Sequence, residues 1–194
     1  MIDTGQSGGV YEPGTFNAPR RYCLAVLVAN EPGILARVVG LFSGRGYNIE
    51  SLTVDEIDAT AHFSRITIVT TASQATVDQI VTQLARLIPV REVVNLTEAG
   101  NFVETCIALV KLVCDVNHHD KAKDIARKYA ARIADMTNHA VIFELASERD
   151  RIERFANELR AFGAVEVART GTLAMGCGDA VLGDISGLAQ RRPA

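Results

Sequence analysis

Apolar residues run through the same order of periods twice along this chain, and that repetition limits the fold more than any single motif. Residues 22–29 are a nearly unbroken apolar run of strand length, which predicts a central strand buried on both faces. Apolar pairs at 34/35, 38/39 and 41/42 then keep helical spacing, with Gly44 and Gly46 as the stop. Ile49, Leu52 and Val54 open a second strand, and 55–61 reads as a polar turn. Residues 63–71 alternate as a half-buried strand. Ser73 caps a second helix whose stripe runs Val77, Ile80, Val81, Leu84, Leu87/Ile88, and Pro89 ends it before a strand over 90–96.

The second half repeats the order. A long apolar strand over 105–114 precedes a helix over 120–131 with Ala122, Ile125, Ala126 and Tyr129 inward. Strands over 132–136 and 140–146 flank a Thr-Asn-His turn. Ser147 and Asp150 form a capping-box-like pair for a helix carrying Ile152, Phe155, Ala156 and Leu159, and 165–170 is the last strand. Each half is therefore β-α-β-β-α-β, the ferredoxin-like pattern, and the chain is α+β with two tandem units over 21–98 and 102–175. Residues 1–20, rich in Gly, Ser, Pro and Asn, read as a disordered extension, and 180–194 as a flexible tail.

Composition removes several function classes. The formal net charge is -3 on 194 residues, so the basic excess of a nucleic-acid binder is missing. A ferredoxin-like sheet that stacked bases would also need aromatic pairs on its central strands, and these are absent. No apolar run approaches membrane-spanning length and no signal-peptide segment opens the chain, so the expected compartment is the cytoplasm. None of the four cysteines forms a C-x-x-C pair, and Cys23, Cys106 and Cys114 fall inside apolar runs as small hydrophobes. His118-His119-Asp120 lacks the i, i+4 geometry of a metal face and reads as a solvated helix start. No catalytic set of nucleophile and base stands out, and no metal site.

The chemistry concentrates in residues 30–54. Asn30-Glu31-Pro32-Gly33 is a turn that feeds a helix, and a helix start leaves about four N–H groups unpaired beside a partial positive charge. Such an end holds carboxylates. Gly33 lets a ligand approach the backbone, and the Asn30 amide both donates and accepts. Asn48 restarts the chain at the other end of the same helix, roughly 15 Å away. One compact ligand touches both amides only if two copies meet head to tail. The bland reading is that Asn30 caps and Asn48 turns.

The strings 30–33, 37–43 and Arg45-Gly46-Tyr47-Asn48-Ile49-Glu50-Ser51-Leu52-Thr53-Val54 closely resemble the regulatory small subunit of acetolactate synthase, also called acetohydroxyacid synthase. The likeness continues through 64–68, 104–111 and 167–171 and covers about residues 21–179. It implies that 21–98 is an ACT domain that dimerises edge to edge. It further implies a valine site at the dimer interface, built from Asn30, Pro32, Gly33, Ile34 and Leu35 with Asn48 and Ile49 of the second copy. The family's chemistry belongs to a separate large catalytic subunit carrying thiamine diphosphate, Mg²⁺ and FAD. The small subunit itself holds no cofactor, raises that activity and confers feedback inhibition by valine. Ala29 and Ala36 depart from the family pattern without removing a proposed ligand contact. A free-standing tandem-ACT amino-acid sensor with another client is the rival reading.

Overall fold

The computed structural model describes residues 18–58, 60 and 62–183. Most of the expected N-terminal extension, and the tail beyond 183, lie outside the described residues.

Two antiparallel sheets with helices on one face carry the fold. In the first, β1 (Arg20–Ala29), β2 (Ser51–Asp58), β3 (Phe63–Ala72) and β4 (Val90–Asn95) lie in the order β2-β3-β1-β4. Helices α1 (Ile34–Ser43) and α2 (Gln74–Ala85) cover one face. Even-numbered residues of β1, from Tyr22 to Val28, meet Ile34, Val38 and Phe42 of α1 and Val77, Ile80 and Leu84 of α2 in a closed core. The 3.6-residue and two-residue periods of the sequence are the two sides of this contact. Ser73 caps α2 by accepting from the Thr76 amide at 3.3 Å, as expected.

In the second unit, β5 (Phe102–Val113), β6 (Arg132–Met136), β7 (Ala140–Ser147) and β8 (Ala164–Arg169) take the order β6-β7-β5-β8. Beneath α4 (His119–Tyr129) and α5 (Arg149–Leu159), Phe143 stacks edge-on against Phe155 in a second core.

Several expectations change. The strand over 90–96 stops at Asn95, and Leu96–Ala99 forms a short helix, α3. The polar turn over 55–61 is overturned: β2 runs to Asp58, with Asp55 opposite Arg65 and Glu56 opposite Ser64. An exposed edge strand tolerates such polar residues on both faces. Ile49 precedes β2 rather than opening it. The capping box fails because Ser147 stays in β7, paired with Cys106, so Glu148 becomes the N-cap and no side chain bonds there. Ile88 leaves the apolar stripe and is 93% exposed, since α2 has already ended.

The largest change concerns β3, expected to be half-buried. Ser64, Ile66, Thr67, Ile68, Val69 and Thr70 are all buried. A strand that the sequence reading missed, β9 (Leu173–Gly176), pairs with Phe102–Thr105 of β5. It carries Ala174 onto Cys23, Ala25 and Val69, on the face of the first sheet away from its helices. Strand β9 continues the line of β8 along β5 with one extra residue. Three steps on β5, from Ala108 to Thr105, oppose four on the facing segment, from Arg169 to Leu173. That is a bulge. It sits at Gly171, where an added Cβ would lie 2.4 Å from Thr53 Oγ1 and 2.8 Å from the Leu52 carbonyl oxygen. The Thr172 amide donates to Ser51 Oγ at 2.7 Å, and Thr53 donates to the Thr172 carbonyl at 3.1 Å. Arg65 donates to the Ala174 carbonyl, and Arg21 forks onto Glu104 with two bonds of 2.9 and 2.7 Å. The two units are thus hydrogen-bonded to each other. Leu182 joins the same contact, and the Gly183 amide donates to Glu92, so the start of the expected flexible tail packs on the first unit.

Candidate effector site

Helix α1 organises the candidate site. Its N-cap is Gly33, at φ 82° in the left-handed region, and no side chain bonds there. Glycine reaches that conformation without the penalty an L side chain meets. Asn30 is therefore not the cap: its amide nitrogen in the backbone donates to the His62 carbonyl at 2.6 Å, while its side chain is exposed and makes no bond among the described residues. The Ile34 amide turns back onto Glu31, whereas the amides of Gly33, Leu35 and Ala36 find no backbone acceptor among the described residues. Pro32 and Leu35 are exposed beside them, and Ile34 turns into the core. Unpaired donors at a positive helix end, next to a free primary amide, suit a carboxylate with an ammonium neighbour.

The other half of the predicted set lies past the far end of the helix. Gly44 and Gly46 close it, Gly46 at φ 70°. Asn48 is held by its backbone, whose carbonyl accepts from Thr70 Oγ1 at 2.6 Å, and its side chain is exposed and unpaired among the described residues. Ile49 is half-buried against the first core. Within one chain the structure thus brings together Asn30, Pro32, Gly33, Ile34 and Leu35, but not Asn48 and Ile49. Ten helical residues separate them, about 15 Å at 1.5 Å each. Strand β2 pairs only with β3 among the described residues, and Val54 and Ile57 stand 42% exposed along it. An open, partly apolar edge is a template for another strand.

The remaining chemistry is quiet. His118 and His119 are not solvated: His119 is buried, His118 half-buried against Phe162, and each has a buried ring nitrogen with no partner among the described residues. No group of three or more metal-ligating side chains occurs among the described residues. Cys23, Cys106 and Cys114 are buried and reduced, and Cys177 is exposed. Burial, with Glu104 nearby, pushes the Cys23 thiol up to about 11. The thiolate is the reactive form. Alkylation of the native protein at pH 8 should therefore label Cys177 and spare Cys23. Peptide mass spectrometry showing Cys23 modified at a comparable rate before unfolding would contradict this packing.

A family model described as an AHAS small subunit-like ACT domain matches residues 24–92, and one described as the small subunit of acetolactate synthase matches 106–178. The probable acetolactate synthase small subunit of Archaeoglobus fulgidus is 37% identical over 155 residues, 80% of this chain and 96% of that protein. The acetolactate synthase isozyme 3 small subunit of Salmonella typhimurium is 39% identical over 163 residues, 84% of this chain and 99% of that one. The crystal structure of the acetolactate synthase small subunit from Thermotoga maritima superposes with a TM-score of 0.74 at 31% identity, covering 83% of this chain and 99% of that chain. Fold, paired domain matches and near full-length identity agree, and the chain belongs to the acetolactate synthase small-subunit family.

Proposed function

We propose that two copies of this chain pair their first units through the β2 edges and hold one valine in each of two shared pockets, regulating a separate catalytic subunit of acetolactate synthase. In this reading residues 21–98 bind effector and dimerise, and 102–175 form the second unit. The valine carboxylate sits on the unpaired amides around Gly33 to Leu35 of one copy. Its ammonium is shared by the Asn30 amide and the partner's Asn48, and Leu35 and the partner's Ile49 bound the side chain, with Ile34 contributing backbone only. Thiamine diphosphate, Mg²⁺ and FAD belong to the catalytic partner.

One observation carries the reading. The two exposed, unpaired amides stand at opposite ends of one ten-residue helix beside an open strand edge. A second copy, turned head to tail, brings unlike ends together twice, as a two-fold interface requires. Ligand binding and assembly then become one event, and valine favours one dimer state by its differential affinity for it. A coupling of roughly 1–3 kcal/mol to the catalytic subunit is typical of such devices. The test is reconstitution of the purified chain with its catalytic subunit, with and without valine. Stimulated activity that valine reverses is expected. A catalytic subunit indifferent to this chain would sink the reading and favour a sensor with another client.

A further inference from the structure

We infer that the groove between α1 and α2 docks an acidic segment of the catalytic subunit, so that helix α1 carries effector at its ends and partner along its flank. The inference rests on the regulatory reading above. The groove is a shallow, open depression of about 770 Å³ lined by Arg37, Gly40, Leu41, Gly44, Arg86 and Leu87. Arg45 and Gln83 continue it into an adjoining hollow of about 480 Å³.

Three features point to a charged protein partner. First, Arg37, Arg45 and Arg86 converge there, and none pairs with a carboxylate among the described residues. Eight of the eighteen described lysines and arginines have a carboxylate partner and ten do not; these three are set apart by lining one groove together. The three arginines line one groove whose own lining holds no carboxylate, and a partner's carboxylates match the planar fork of each arginine. The adjoining hollow holds one acid, Asp78, which accepts from Gln74 at 3.0 Å and stands with Arg45 and Arg86, so the combined lining carries an excess of two positive charges.

Second, the floor is smooth. An added Cβ at Gly40 meets nothing within 4 Å, so the flank of α1 is bare there and a segment can lie close to the helix. Leu41 and Leu87 supply apolar floor between the charges. Third, Ile88 stands 93% exposed directly after Leu87. Ile88 is outside the groove's lining but follows Leu87 directly, so a segment lying in the groove can extend onto it. A small anion would use the arginines and leave Ile88 without a role.

The placement also supplies a route for regulation. Gly33 to Leu35 begin α1, Arg37, Gly40 and Leu41 line its flank, and Asn48 follows its end. A small rigid shift of this one helix, drawn by effector at both ends, changes the groove against α2. No longer pathway is needed.

The test titrates the catalytic subunit with the full-length chain and with the triple variant Arg37→Glu, Arg45→Glu, Arg86→Glu, measuring activity and direct binding. The variant should need at least about 100-fold more protein for half-maximal activation, as charge reversal at a steered interface does. Wild-type affinity should fall with added salt, and the variant's should not. Valine binding by calorimetry and the dimer by light scattering should be unchanged. Equal half-saturation of wild type and variant would overturn the groove alone, whereas a wild-type chain that fails to activate would overturn the regulatory reading beneath it. Loss of valine binding or of the dimer in the variant would make the arginines structural and refute docking. Sodium tripolyphosphate that binds the wild type in the groove without competing with the catalytic subunit would mark a small-anion site instead.

Discussion

A mixture of Asn30→Ala and Asn48→Ala chains should bind valine where neither pure variant does. If each pocket takes Asn30 from one copy and Asn48 from the other, each pure variant dimer has two damaged pockets. A mixed dimer concentrates both lesions in one pocket and leaves the second intact. Random re-pairing then restores about a quarter of the wild-type capacity, as two-fold symmetry dictates. Each amide lost costs about 1.5–3 kcal/mol of hydrogen bonding to a charged group, or roughly 10- to 150-fold in affinity. Calorimetry on the refolded mixture reads this directly. No recovered binding would place both asparagines in one chain's pocket, or neither in any. Gly33→Asp belongs to the same experiment: its carboxylate would face the ligand's own at the helix start, and valine inhibition should vanish. Gly33→Ala separates the strain of a side chain at φ 82° from that repulsion, and should leave a weakened response.

The second large effect is expected at Gly171, which packs on Ser51 to Thr53 of β2, just past the Asn48–Ile49 end of the proposed site. Any side chain there meets Thr53 Oγ1, the Leu52 carbonyl and Ser51 Oγ at 2.4, 2.8 and 3.0 Å. Two of these obstacles are the partners that hold Thr172 to β2. Gly171→Val must therefore open the joint and loosen the Arg65 to Ala174 bond beside it. At about 1 kcal/mol net for each hydrogen bond, the loss is roughly 3 kcal/mol before any lost packing of Ala174 on Cys23 and Val69. The cores of the two units are separate clusters, so each should survive. Calorimetry should show one cooperative transition in the wild type resolving into two in the variant, with valine binding kept. A single transition at the wild-type temperature would show that the joint carries no such weight. If the regulatory reading holds, the variant binds valine but transmits less inhibition.

Much of this architecture is legible in the sequence. Tyr22 to Val28 form an apolar run because β1 is central, and all of these residues are buried. The stripe of Val77, Ile80 and Leu84 and the stop at Gly44 were equally plain, since each depends on neighbours three or four residues away. The misses share a cause. Leu173 to Gly176 is too short and glycine-bounded to announce a strand, and it exists because Phe102 to Thr105 offers it a ladder. Ser147 satisfied a capping pattern, yet its ladder pairing with Cys106 won. His118 and His119 looked like a hydrated helix start until Phe162 and the second core closed over them.

The sequence by itself determined the two βαββαβ units and the segment proposed to bind effector, because hydrophobic period, turn residues and helix ends are local. Tertiary structure alone decided three further matters. It made Gly33 rather than Asn30 the cap of α1, leaving the Asn30 side-chain amide without a partner among the described residues. It buried the second face of β3 under a strand more than 100 residues away. It also gathered Arg37, Arg45 and Arg86, drawn from a helix, a loop and the end of another helix, into one groove. Burial and charge clustering depend on which distant surfaces meet, and no period within a single segment encodes that.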